Sequence, residues 1–216
     1  KPMFENRFDA GTQLAKKLAK YKNENVIVLA IPRGGLPIGA LVAKDLNAPL
    51  DVVLTKKIGH STNKEYAIGA VGLENIILTN SLNIEKSYID AETARIRKTL
   101  RDRYNQYYKH QSPSNLKNKT VIIVDDGVAT GSTLLATVEL VYKQKPSKIV
   151  VAIPVAPVSA IHKISNTQNV DEVICILIPD NFHAVGQFYK EFEQVSDQEA
   201  IHILEKANSK KTLGGL

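Results

Sequence analysis

The 216-residue sequence contains one cysteine, one methionine and no tryptophan. Because a single cysteine cannot pair within the chain, an intramolecular disulfide and a cysteine metal cluster are both excluded. No apolar run approaches the roughly 20 residues that a membrane-spanning helix needs. This cysteine usage favours a reducing setting, and we expect a cytoplasmic protein.

Two common nucleotide-binding motifs are also missing. A P-loop needs a Gly-Lys pair before its Ser or Thr, and residues 127–133 lack that pair. The dinucleotide fingerprint G-x-G-x-x-G occurs nowhere in the chain. Any phosphate site must therefore be built in another way.

What is present suffices for one α/β domain, with 44% hydrophobic and 23% charged residues. We predict a single domain over residues 1–207 and a loose tail over 208–216. Lys and Arg exceed Asp and Glu by 28 to 22, a net charge of +6. That charge suits a protein that handles polyphosphates, but also RNA binding or plain solubility. Charge alone does not decide the function.

Residues 121–134 are the most informative stretch of the sequence. Four apolar residues, two acids and a loop of small and hydroxylated residues follow one another there. An apolar β-branched run without polar alternation is typical of a strand buried on both faces of a parallel sheet. Ligands bind at the C-terminal ends of such strands. The backbone N–H groups and hydroxyls of the loop, and the helix that it opens, favour a bound phosphate.

The two acids, Asp125 and Asp126, need a different partner. Placed beside a bound phosphate dianion they would repel it, so ribose hydroxyls or a magnesium ion fit them better. An ordinary strand-to-helix turn is the alternative, but two carboxylates at a buried strand end are costly without a ligand. One loop would then hold both ends of a ribose 5-phosphate.

This loop resembles the phosphoribosyl pyrophosphate (PRPP) signature of type I phosphoribosyltransferases. Similar motifs extend from the N-terminus to about Leu204 and indicate a bacterial subgroup of unassigned acceptor. They lie at residues 4–7, 32–35, 65–69, 125–133 and 182–186. The resemblance implies a mostly parallel five-stranded sheet flanked by helices, and a homodimer. It also implies a hood formed by residues 1–22 and 179–195, and a flexible lid loop over residues 55–72.

The resemblance also implies roles for particular residues. Asp125, Asp126 and Lys57 would be catalytic, and the two acids would hold Mg²⁺, directly or through PRPP hydroxyls or water. The aromatic residues that follow the last predicted strand offer a stacking surface for the acceptor, a small planar base, at Phe182 or Tyr189, with a helix core as the alternative for Tyr189. The PRPP-binding residues would be Ala129, Thr130, Gly131, Ser132, Thr133, Arg33, Gly34, Gly35 and Lys56.

One departure from the family pattern concerns the acceptor. Members that act on 6-oxopurines place an Asp just before the Thr-Gly, and this sequence has Ala129 there. Hypoxanthine and guanine are therefore disfavoured. The implied reaction is Mg²⁺-dependent transfer of the 5-phosphoribosyl group of PRPP to a nitrogenous base, with release of pyrophosphate.

Two alternatives remain at this point. The first is a non-catalytic PRPP-sensing regulator that binds RNA through the basic face of the long helix predicted over residues 84–108. Its affinity would fall steeply with salt. The second is a structural subunit of a larger assembly.

Overall fold

The chain folds into eight strands and six α-helices in the part that the computed structural model describes, residues 3–79 and 81–209. The strands are β1 (Val26–Ala30), β2 (Leu50–Val52), β3 (Lys56–Gly59), β4 (Ala67–Val71), β5 (Ile76–Leu78), β6 (Thr120–Val124), β7 (Lys148–Val155) and β8 (Glu172–Leu177). The α-helices are α1 (Arg7–Lys17), α2 (Gly35–Leu46), α3 (Lys86–Tyr107), α4 (Ser132–Tyr142), α5 (Val158–Ser165) and α6 (Asp197–Ser209).

The core is a five-stranded parallel sheet in the order β2-β1-β6-β7-β8. Apart from Thr120, strands β1 and β6 are apolar, and alternate side chains point to opposite faces, so both faces must be covered. Helices α1, α2 and α6 cover one face, where Val28 and Ile122 are buried. Helices α4 and α5 cover the other, where Ile27 and Ile123 are buried. The α/β fold predicted from the sequence is confirmed.

Residues 55–72 do not form one continuous loop, which corrects the predicted lid. Strands β3, β4 and β5 form a separate antiparallel sheet in that order, and α3 packs on it. The strands form because Ile58, Ile68 and Val71 are buried against α3. Residues 60–66 between β3 and β4 are the irregular tip, and closure of this tip over a ligand stays a prediction.

The predicted hood also differs in part from the structure. Helix α1, which was assigned to it, belongs to the main core, with Leu14 fully buried against the sheet. Residues just before α1 pair with the C-terminal segment through their main chain. Phe4 forms a β-bridge with Tyr189, and the amide of Lys190 donates to the Phe4 carbonyl at 2.9 Å. The N-terminus is thereby attached over the strand ends.

The loose tail predicted over residues 208–216 is wrong for its first two residues. Asn208 and Ser209 belong to α6, and the Asn208 side chain donates to the Leu50 carbonyl at 3.0 Å. The rest of that predicted tail lies outside the described residues. Within the described ranges, no helix combines the length and the apolar character that crossing a membrane requires.

Candidate active site at the strand ends

The loops that follow β1 and β6 lie side by side, because these strands are hydrogen-bonded neighbours at the centre of the sheet. The contact is so close that two glycines are required. A Cβ on Gly34 would lie 2.1 Å from Asp126 Oδ2, and one on Gly35 would lie 3.0 Å from the Val124 carbonyl oxygen. The peptide bond between Pro32 and Arg33 is cis. The structure thus brings together the two loops that the sequence singled out.

The second loop ends in a helix start with unused backbone donors. Gly131 has φ +84°, a left-handed conformation that glycine adopts without strain. The first hydrogen bond of α4 runs from Leu135 N–H to the Gly131 carbonyl, at 2.8 Å. The amides of Thr133 and Leu134 precede that bond and are free of the helical ladder. Thr130 and Thr133 are exposed, so this turn can offer amides and hydroxyls to an anion.

Asp125 accepts a hydrogen bond from the neighbouring main chain. The backbone N–H of Asp126 donates to Asp125 Oδ1 at 2.8 Å. Burial raises the pKa of the Asp125 carboxyl well above its ordinary value, and the adjacent Asp126 carboxylate raises it further. A ligand group that supplies positive charge or hydroxyl donors would relieve this cost.

Asp126 is held by side chains that come from distant parts of the chain. Arg7 Nε donates to Asp126 Oδ2 at 3.0 Å, and the two side chains are only 13% and 14% exposed. The Tyr189 hydroxyl donates to the Asp126 carbonyl at 2.6 Å. Neither contact of Asp126 is predicted by the sequence. Arg7 lies 119 positions from its partner, and no local pattern links them.

The predicted cationic residues do not all converge on the acidic pair. Arg33 Nη1 lies 3.7 Å from Asp197 Oδ1 at the start of α6. Lys57 in β3 is paired opposite Ala70 of β4, and Ala70 lines a cavity of about 400 Å³ together with Ser132. The Lys57 Nζ lies 3.4 Å from the Glu65 carboxylate.

Lys56 has its side chain on the other face of β3. It is paired opposite Val71, which packs toward α3, so the structure does not bring Lys56 to the acidic pair. The binding roles of both lysines stay predictions.

Of the two predicted acceptor residues, one is corrected. Tyr189 is 4% exposed, and its ring packs against Phe4 and Phe192, with centroids 5.3 and 4.9 Å away. It therefore offers no free face to a base, and its hydroxyl anchors the acidic loop instead. Phe182 is half-buried and stacks on Phe188 at 5.4 Å. Only Phe182 keeps the predicted role open.

The donor set bears on whether magnesium fits. Mg²⁺ is usually bound by one or two carboxylates together with substrate phosphates and water. Asp125 and Asp126 supply two adjacent carboxylates. Across residues 3–79 and 81–209, no group of three or more His, Cys, Asp or Glu side chains is placed to hold a metal ion. The residues fit a magnesium ion that is shared with a phosphorylated substrate.

The basic face of α3, which carried the RNA hypothesis, is partly engaged within the chain. Arg95 makes an ion pair with Glu92 at 2.8 Å, and Arg97 Nε reaches the Gly72 carbonyl at 3.5 Å. Nothing in the fold tests RNA binding, which stays a prediction.

A parallel α/β sheet with a glycine loop, an acidic pair and a helix start at adjacent strand ends has the layout of α/β proteins that bind their ligands at this edge of the sheet. Residues 4–193 match the family model described as the phosphoribosyl transferase domain. The chain belongs to this family, and the resemblance drawn from its sequence is confirmed.

Similar proteins support the same assignment. The chain is 36% identical over 211 residues to the "Putative phosphoribosyl transferase Rv0571c" of Mycobacterium tuberculosis H37Rv, covering 95% of this chain and 47% of that protein. It thus spans about half the length of that relative. It is 27% identical over 93 residues to an orotate phosphoribosyltransferase of Saccharolobus solfataricus, covering 41% of this chain and 47% of that protein. The crystal structure of TT1426 from Thermus thermophilus superposes with a TM-score of 0.88 and 37% identity, covering 94% of this chain and 98% of that one.

Proposed function

We propose that this protein transfers the 5-phosphoribosyl group of PRPP to a nitrogenous base and releases pyrophosphate, in a magnesium-dependent reaction. One observation carries the proposal. The acidic pair lies between two anion-binding backbone segments, and Gly34 is so close to Asp126 that no side chain fits between them. A ribose with phosphate groups at both ends matches this arrangement.

Each part of the site has a distinct role in this proposal. The amides and hydroxyls of residues 129–133 hold the 5-phosphate, and the backbone at Gly34 and Gly35 receives the pyrophosphate. Asp125 and Asp126 fix the ribose hydroxyls. Bound together with the diphosphate, magnesium would neutralise the charge that develops on the leaving group. Catalysis then rests on positioning and on stabilising an oxocarbenium-like transition state, with no dedicated base.

The acceptor enters beside Phe182 in this proposal. Phe182 lies in the segment that covers the strand ends, and its ring is only partly buried. Ala129 lacks the carboxylate that would contact a purine imidazole, which disfavours 6-oxopurines. We therefore propose a planar base other than hypoxanthine or guanine.

Calorimetry with PRPP tests the first step. We expect binding that requires magnesium, and an absence of binding in the presence of magnesium would refute the proposal. The variant Asp125→Asn with Asp126→Asn should weaken PRPP binding. Thr130→Ala should weaken the binding of PRPP and also of ribose 5-phosphate, which lacks the diphosphate. We expect the affinity to fall roughly ten- to a hundredfold, because the Thr130 hydroxyl would donate to a charged phosphate. Incubation with PRPP, magnesium and a panel of bases, monitored by pyrophosphate release, then identifies the acceptor.

A further inference from the structure

Arg7 uses three different parts of one guanidinium group. Its Nε donates to Asp126 Oδ2 at 3.0 Å, its Nη1 donates to the Glu193 carbonyl at 2.5 Å, and its plane lies 4.0 Å over the Phe192 ring. A planar fork with several fixed donors can do this, whereas an ammonium group is a single point of charge. Arg7 thereby joins the acidic pair to residues 192–193.

The local sequence fixes where Arg7 stands. It is the first residue of α1, and Asn6 caps that helix by accepting from the Asp9 amide at 2.9 Å. Asp9 in turn accepts from the Glu5 amide at 2.9 Å, so the chain on both sides of Arg7 is tied down. Because the backbone at Arg7 is held in this way, its guanidinium approaches Asp126 from a fixed direction.

The contact occupies only one oxygen of Asp126. Arg7 binds Oδ2, which also faces the Gly34 backbone, since a Cβ there would lie 2.1 Å from Oδ2 but 3.4 Å from Oδ1. A carboxylate accepts through two oxygens, and the Arg7 contact uses only Oδ2. The ion pair therefore orients Asp126 without occupying both of its oxygens.

The main chain of Asp126 is fixed from the same side. The Tyr189 hydroxyl bonds its carbonyl at 2.6 Å, and Tyr189 is paired with Phe4, three residues before Arg7. The carboxylate and the carbonyl of one residue are thus held by two segments that are themselves paired.

We propose that Arg7 is a positioning residue that holds the Asp126 carboxylate in the orientation required by the ribose hydroxyls of PRPP. The PRPP part of this inference rests on the function proposed above. The orientation itself does not, because it follows from contacts within the chain.

Three variants test the inference. Arg7→Gln removes the charge and should weaken PRPP binding about tenfold or more, as expected when a buried charged hydrogen bond is lost. Arg7→Lys keeps the charge but cannot make the three contacts together, and should also weaken binding severalfold. Arg7→Ala should recover part of its PRPP affinity in millimolar guanidinium chloride, but not in sodium chloride of equal ionic strength.

Lys190→Gln is the matched control. Lys190 Nζ makes a 2.7 Å ion pair with Glu5, which joins the same two segments. This ion pair does not involve Asp125 or Asp126. We expect PRPP affinity within about twofold of the wild type, since exposed ion pairs contribute little.

Hydrogen exchange of the unliganded variants separates this inference from the proposed function. Arg7→Gln should accelerate exchange of the amides of residues 126–133, whereas Lys190→Gln should not. If the wild type fails to bind PRPP, the proposed function is wrong and the exchange result still decides the role of Arg7. Unchanged exchange in Arg7→Gln would overturn the inference. So would PRPP binding by Arg7→Gln that is unchanged or tighter, because Arg7 would then be merely structural or would obstruct the site.

Discussion

Gly34→Ala adds one methyl group at the closest point between the two ligand loops. The new Cβ would lie 2.1 Å from Asp126 Oδ2 and 2.8 Å from its Cγ, whereas real Cβ contacts essentially never fall below 3.0 Å. Neither side can yield freely. The carboxylate is bound to Arg7, and the backbone after Gly34 is tied by the 3.0 Å bond from the Gly35 amide to the Ile31 carbonyl.

The expected cost follows from this crowding. Inserting a methyl group into a well-packed region costs about 1–3 kcal/mol. The cost rises further if the contact between Arg7 and Asp126 breaks, because a nearly buried carboxylate then loses its cation. For a chain of this length each kcal/mol lowers the melting temperature by about 2–4 °C. PRPP affinity should fall about tenfold or more, since the displaced carboxylate belongs to the proposed ribose site.

Urea denaturation and PRPP calorimetry measure the two effects on the same samples. Gly72→Ala is the control, because its nearest neighbour would lie at 3.8 Å, an ordinary van der Waals distance. We expect its free energy of unfolding to stay within about 0.5 kcal/mol of the wild type. If Gly34→Ala also matched the wild type in stability and in PRPP affinity, the close packing of the two loops would be refuted.

Three further substitutions test single contacts. The pKa of the Asp125 carboxyl is raised in the folded state above its unfolded value near 3.8. The folded state therefore holds this proton more tightly, and the free energy of unfolding falls as the pH rises from the unfolded pKa to the folded one. Asp125→Asn should therefore unfold at higher urea than the wild type at neutral pH while losing PRPP affinity, and a stability difference that does not grow with pH would contradict this. Tyr189→Phe should cost about 0.5–1.5 kcal/mol of unfolding free energy through the lost bond to the Asp126 carbonyl, and no loss would show that the bond does not contribute. Phe182→Ala should raise the acceptor Michaelis constant about tenfold while PRPP affinity stays constant, by analogy with aromatic–base stacking, and parallel loss of both ligands would assign Phe182 to the fold.

The central elements could be predicted because their signals are local. Residues 121–124 form one apolar run, and the acids and small residues that follow mark the strand end without reference to the rest of the chain. The structure has β6 and α4 there, within a residue of the predicted bounds. The sequence also predicts that Gly34 and Gly35 lie in a tight loop. It does not predict that Asp126 is the neighbour that leaves no room for a side chain at Gly34.

The errors arose where a residue's role depends on a distant partner. Lys56 and Ile58 lie in a short mixed stretch that suggests a loop, and only burial of Ile58 against α3 makes it a strand. Tyr189 could be an exposed stacking residue or a buried anchor, and its pairing with Phe4 decides between them. The contact between Arg7 and Asp126 depends on the whole sheet, which alone brings α1 to the end of β6.

The two acids have unlike surroundings, and this difference fits an unequal division of their roles. Asp126 is paired with Arg7, and contacts within the chain fix its orientation. Asp125 accepts one backbone N–H bond and is desolvated, so its ionised form costs more free energy than its protonated form. A hydroxyl donor or a cation therefore lowers the free energy of the site most at Asp125, while Asp126 supplies a carboxylate oxygen at a fixed place. A desolvated carboxylate beside a second carboxylate weakens the fold, which is the expected cost of a site organised to receive its ligand.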